Sequence, residues 1–303
     1  MRKQKQDTIL KVHEATELMP FLMAKLGGIT RTSVKSFLSH RQVLVNKSVQ
    51  TRHDTPLKEG DIVTLLTGKG NIELRHPKLR ILHEDEDLII AEKKEGLLTV
   101  ATYPGSTEMT AMSILKSYVR KQNPRNGIYV VHRLDRETSG VLVFAKNPEI
   151  QHYMREYWRE LVTERTYIAV AEGIFAEKEG TIKSWFTEDK KNAIVYSSPV
   201  DDGGDLAITH YKVLKESSAK EDGKQYSLVE LHLETGRTNQ IRVHLASLGH
   251  PVVGDRKYGH GNEESPIDRL CLHAKVLEFI HPATEQTVRF EASVPKSFSI
   301  LMK

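Results

Sequence analysis

Apolar positions along the chain follow two periods, and the change from one to the other divides it. Leu18, Phe21, Leu22 and Leu26 keep the spacing of a helix face, Gly27-Gly28 ends that helix, and a second is predicted from near Thr30. Residues 43–45 and 62–66 read as short strands separated by Asn46-Lys47 and a turn-rich stretch through Pro56 and Gly60-Asp61. A polar segment over 71–79, interrupted by Pro77, marks a boundary. Beyond it strand patterns dominate, over 79–82, 88–91, 128–131, 141–145, 165–171, 182–186, 207–214, 226–233, 270–279 and 287–292. Helices are predicted over 110–121, over 149–161 behind an Asn147 cap and Pro148, and after Thr238, where Ile241, Leu245 and Leu248 form an apolar face. The pattern predicts an α+β protein. A small helix-helix-β domain over 1–75 precedes a mixed, largely antiparallel sheet over 76–303.

Two charged constellations interrupt the strand pattern. HRLDRETSGVLVFAKN, residues 132–147, sets Asp135 among basic groups in a loop between two apolar strands, with Gly140 supplying a tight return. Either Asp135 is a working carboxylate at a sheet edge, or the loop is a surface salt-bridge turn. ETGRTNQIRVH, residues 234–244, follows a strand and opens a helix, so Arg237 falls at the turn between them, with Thr238 as the predicted cap. A helix start favours anions and arginine adds a planar donor fork, while the plain alternative is a structural ion pair.

Composition narrows the classes. With 303 residues, 39% hydrophobic and 28% charged, the chain has material for two cores. No apolar run approaches the roughly 18 residues of a membrane span, and MRKQKQDTIL lacks a signal-peptide centre, so a cytoplasmic protein is expected. The single cysteine, Cys271, cannot form an internal disulfide and is expected as a buried thiol. Fourteen histidines show no HExxH spacing, and neither GxxxxGK[ST] nor GxGxxG occurs, so neither a metal nor a nucleotide cofactor is expected. Charge is uneven: residues 1–75 hold 13 lysines and arginines against 7 acids, and the rest hold 31 against 33. A basic front, with Arg31, Lys35 and Arg41 clustered in it, suits gathering a polyanion for the body to act on.

The stretch from Glu17 to Leu66 resembles the small RNA-binding domain named after ribosomal protein S-four, which implies that Arg31, Lys35 and Arg41 face RNA phosphates. Four ordered motifs, HRLDRETSGVLVFAKN, RTYIAVAEG, GRTNQIRVHLASLGHPVVGDRKYG and LCLHAKVLEFIHP, resemble those of the RluA family of pseudouridine synthases. That resemblance implies a catalytic fold with a central cleft, cofactor-free isomerisation of uridine in structured ribosomal or transfer RNA, and a monomer. It places Asp135 as the catalytic aspartate, Tyr167 against the base and Arg237 as the basic partner of Asp135. Arg133 would hold the RNA open, with His132, Thr138 and Ile241 beside the substrate. Two positions depart from the family pattern: Lys94 stands for the usual proline and Asn239 for the usual histidine.

The residues suit the chemistry. Breaking the bond from uracil nitrogen to sugar builds positive charge on the sugar, which a carboxylate can stabilise or bond to, and an adjacent cation keeps the carboxylate charged. Attack on the sugar and removal of its 2′ proton both remain open for Asp135. Tyr167 suits stacking on uracil, or plain strand core. Two rival functions stand beside isomerisation: a non-catalytic RNA-binding or ribosome-assembly protein, and a hydrolase that releases uracil.

Overall fold

The computed structural model describes residues 7–39, 42–66, 74–220, 223–259, 265 and 267–303. Its backbone contacts group residues 1–74 with 115–127 as one unit and 75–114 with 128–303 as another. The expected cut was placed near residue 75; in this grouping 115–127 fall with the front residues.

In the front unit, helices Leu18–Leu26 and Arg31–Ser39 bury Leu18, Leu22, Val34 and Leu38 with Val43, Leu57 and Val63. Gly27 and Gly28 both take positive φ, which stops the first helix as their sequence suggests. Strands run in the order Thr8–Lys11, Ile62–Leu65, Val43–Val45, Ser48–Gln50, all antiparallel. The strand Thr8–Lys11 was not foreseen, because four residues that gain their bonds from a partner over fifty residues away carry little local signal. Arg31 and Lys35 are exposed, one turn apart on the second helix. Arg41, the third expected RNA contact, lies outside the described residues.

The larger unit is built on an 11-stranded sheet. Its order is Ile194–Ser198, Glu179–Asp189, Asp205–Glu216, Tyr226–Leu233, Val162–Glu172, Leu272–Ile280, Ser139–Ala145, Leu88–Lys93, Leu79–Glu84, with Tyr129–Val130 and Thr287–Glu291 paired off that path. All pairings are antiparallel except Ser139–Ala145 with Leu272–Ile280, which agrees with the mixed, largely antiparallel expectation. Every residue of Ser139–Ala145 is buried, as the apolar run over 141–145 requires. Gly140 does more than return the chain. It sits at φ +124 with the Ala274 carbonyl oxygen 2.1 Å from where a Cβ would stand, so the parallel pairing that follows the Asp135 loop depends on it. Cys271 is a buried free thiol, pushed up to about 12 by its burial.

The helix expected over 149–161 is two, Pro148–Glu156 and Trp158–Leu161, broken at Tyr157. Its start is as foreseen: Asn147 Oδ1 accepts from the Ile150 N–H at 2.8 Å with Pro148 in the first turn. The helix Gln240–Ser247 is entered differently. Thr238 does not cap it; Asn239 precedes it in the left-handed region at φ 54, a conformation asparagine tolerates.

Candidate active site

The loop 132–138 leaves the buried strand pairings and is tied down from one side by residues 93–99. Thr99 Oγ1 donates to the Leu134 carbonyl at 2.7 Å and accepts from the Leu134 N–H at 3.2 Å. The Gly96 N–H and the Lys93 ammonium both donate to the Arg136 carbonyl at 2.9 Å. Lys93 is fully buried, donates also to the carbonyls of Leu97 and Lys94, and is pushed down to about 7 by burial. Asp135 thus sits between two clamped residues. Lys94, where the family pattern has proline, donates its backbone N–H to the Lys78 carbonyl at 2.9 Å, a bond proline cannot make.

Asp135 opens onto a cleft of about 650 Å³ that Tyr167, Arg133, His132, Thr138, Ile241, Arg237 and Arg242 also line. All of the expected catalytic residues therefore share one cavity, but one pairing differs. Arg237 contacts Asp205 at 3.2 Å and donates from Nε to the Leu206 carbonyl, whereas the guanidinium facing Asp135 belongs to Arg242, with Nη1 3.4 Å from Oδ2. The reason lies in the turn. The buried Gln240 amide accepts from the Arg237 N–H and Thr235 Oγ1, and donates to the Ile208 carbonyl and Thr209 Oγ1, which docks residues 235–240 on strand Asp205–Glu216 and turns Arg237 toward Asp205. Arg242, five residues further and in the first turn of helix Gln240–Ser247, is left facing the acid.

Arg242 is itself held. Asp255, whose side chain has 0% exposure, accepts from its Nε and Nη2, both at 2.7 Å. Asp255 Oδ1 also accepts from the N–H groups of Lys257 and Tyr258. Burial works against both charges, yet their mutual hydrogen bonds prevail, raising Arg242 above the ordinary arginine value and holding Asp255 below the usual carboxylate range. Asn239 Oδ1 accepts from Arg242 Nη1 at 2.9 Å while its amide donates to the Tyr258 hydroxyl, and the guanidinium lies over the Tyr258 ring. The unusual asparagine is thus part of the support for Arg242.

Lys93, Arg242 and Asp255 were not among the expected site residues. All three stand inside or beside the motifs, but only tertiary packing shows which charge meets which.

Tyr167 is half-buried, and its hydroxyl is raised above the ordinary tyrosine value by burial, opposed by Arg165 and reinforced by Asp135. His132 accepts the Val143 N–H at Nε2, stacks near Trp158 at 4.9 Å, and is pushed down to about 3 by burial and Arg165, so it is a neutral wall. Thr138 and Ile241 are buried at the cleft lining. Arg133 is exposed and, among the described residues, has no hydrogen-bonding or ionic partner. Among the described residues no three His, Cys, Asp or Glu side chains gather as metal ligands, and no helix is long and apolar enough to cross a membrane.

A clamped, half-open carboxylate beside a buried guanidinium and a tyrosine can act on an electron-poor sugar carbon. Comparison with known proteins gives the arrangement its context. The family model described as RNA pseudouridylate synthase matches residues 87–247. An uncharacterized RNA pseudouridine synthase of Bacillus subtilis, YhcT, is 36% identical over 273 residues, covering 89% of this chain and 87% of its own. The tRNA pseudouridine synthase C of Haemophilus ducreyi is 34% identical, covering 74% and 94%. The ribosomal large subunit pseudouridine synthase D of Vibrio cholerae is 31% identical, covering 88% and 84%.

Proposed function

The chain belongs to the RNA pseudouridylate synthase family, and from that premise we propose that Asp135 is its catalytic carboxylate, Tyr167 the residue against the base and Arg242 the cation that supports the acid. The enzyme is an isomerase acting on uridine in RNA. One observation carries the assignment of roles: Asp135 is the one acid of this cleft held by a guanidinium whose other donors are already bound to Asp255 and Asn239, and its side chain stays 33% exposed at the cavity.

In the reaction the bond from uracil N1 to the sugar C1′ breaks, the base turns, and C5 bonds to C1′. The C5 proton leaves and N1 takes one up, so there is no net change in mass. Asp135 meets the positive charge that grows on the sugar, whether it bonds to C1′ or takes the 2′ proton. Tyr167 stays a phenol at neutral pH, able to stack on uracil and to pass the C5 proton. Removing a uridine from its stack costs a few kcal/mol, which Arg133, exposed and without a partner among the described residues, helps offset at the cleft mouth. Thr138, Ile241 and His132 shape the uridine pocket, and Arg237 borders it.

The front unit, with Arg31 and Lys35 exposed on one helix, gathers the RNA. The substrate on this reading is structured ribosomal RNA, or transfer RNA as the name of the Haemophilus ducreyi relative says of that protein, met in the cytoplasm. The test is to incubate the purified chain with unmodified ribosomal RNA and unmodified transfer RNA and map products by carbodiimide labelling. Pseudouridine without mass change is expected in one of them. Free uracil would identify a hydrolase instead, and binding without product a non-catalytic RNA-binding protein.

A further inference from the structure

A smaller recess of about 280 Å³ adjoins the cleft, between helix Trp158–Leu161, the start of strand Val162–Glu172 and the end of strand Tyr226–Leu233. Trp158, Arg159, Arg165, Leu233 and Glu234 line both cavities, so the two are continuous.

Its charges do not balance. Arg165 donates from Nη2 only to carbonyl oxygens, of Leu233 at 3.1 Å and Glu234 at 3.3 Å. Arg159 is exposed and has no hydrogen-bonding or ionic partner among the described residues. The carboxylate of Glu234 is taken by His210 Nε2 at 2.6 Å. Two further acids nearby, Glu156 and Glu160, line the main cleft and not the recess. Burial lowers the Arg165 pKa from its ordinary value, opposed by Tyr167 and reinforced to a lesser degree by the nearness of Arg159. Two guanidiniums against one carboxylate, that of Glu234, which is already hydrogen-bonded to His210, leave an excess of positive charge in the hollow that an anion would relieve. Their planar forks suit a phosphate, and the half-buried Trp158 ring beside them gives a base a face to stack on.

We propose that this recess is a second nucleotide subsite, in which Arg159 and Arg165 hold the phosphodiester of the nucleotide next to the target uridine and Trp158 forms its stacking wall. The proposal rests on reading the main cleft as the uridine pocket. Since the subsite binds backbone, it adds affinity for any RNA strand and little choice among bases.

The chain holds two tryptophans, Trp158 and Trp185. A full-length W185F variant therefore leaves Trp158 as the only reporter, and its fluorescence can be followed without turnover. Probes are a ten-residue oligouridylate, the same oligomer with uncharged methylphosphonate linkages, and free uridine. Quenching by the oligouridylate is expected, with little from the other two. Arg159→Ala should raise the Kd about tenfold and reduce the salt slope by roughly 0.7, one phosphate contact on a single strand, and Arg159→Lys should recover most of the affinity. Equal quenching by uridine, or an unchanged Kd and salt slope in Arg159→Ala, would overturn the subsite. If the parent forms no pseudouridine yet quenching still depends on Arg159, the subsite stands and the reading of the reaction falls. If the parent forms pseudouridine while Arg159→Ala changes neither Kd nor slope, the reverse holds.

Discussion

Two acids share one guanidinium in this protein, and they are not equivalent. Asp255, from the loop after helix Gln240–Ser247, is wholly buried, bonded twice at 2.7 Å to Arg242 and twice more to backbone N–H groups. Asp135, from the clamped loop, has a side chain 33% exposed and meets Arg242 once, at 3.4 Å. Asp255 neutralises and aims the guanidinium, so that Arg242 supports Asp135 without closing over it. A fully paired acid holds structure, and a half-paired acid at a cavity is free to react.

This contrast can be broken from either side. Asp255→Ala should cost about 3–5 kcal/mol of stability, because it strips the largely buried Arg242 guanidinium of its two closest bonds and leaves it only the long contact to Asp135 and the bond to Asn239, whereas Asp135→Asn should cost less than about 1 kcal/mol. Urea unfolding of the two variants checks this, and equal losses would remove the distinction.

A smaller effect comes from buried neutral histidines. His244 and His273, each pushed down to about 4 by burial, join His132 in taking up protons only when the chain unfolds. Between about pH 4 and 6.5 the unfolded chain binds more protons, so stability should fall as pH drops through that window, by up to about 3 kcal/mol for each ring. A flat curve of unfolding free energy would contradict the burial of these rings. The smallest expected effect is in the front unit, where Arg31→Ala with Lys35→Ala should weaken RNA capture severalfold at low salt, reduce the salt slope by roughly 1–2, and leave single-turnover rate at saturating RNA within twofold. Binding titrations across salt concentrations decide it.

Much of this was legible in the residues. The unbroken apolar run over 141–145, the Asn147-Pro148 helix start and the mixed, mainly antiparallel sheet follow from local pattern. Asp135 and Tyr167 were found by motif, and the structure places both on one cleft. What was misread is instructive. Arg237 and Arg242 lie five residues apart in one motif, and local chemistry favours the one at the turn. The buried Gln240 amide, bonding across to strand Asp205–Glu216, decides which arginine turns toward Asp205 and which faces Asp135. Asp255, near the end of the third motif, carried no expected role, because burial and a distant partner leave no local trace. The break at Tyr157 was likewise hidden, since 149–161 has helical spacing on both sides of it.

The central claim is that Asp135 performs the chemistry while Asp255 and Arg242 only hold it in place. Its most direct test is single-turnover tritium release from RNA carrying 5-tritiated uridine, comparing Asp135→Asn with the parent at equal RNA occupancy. The account predicts a rate lower by on the order of 10⁴-fold or more, with RNA affinity and unfolding midpoint close to parental. Tritium release by Asp135→Asn within tenfold of the parent would contradict it.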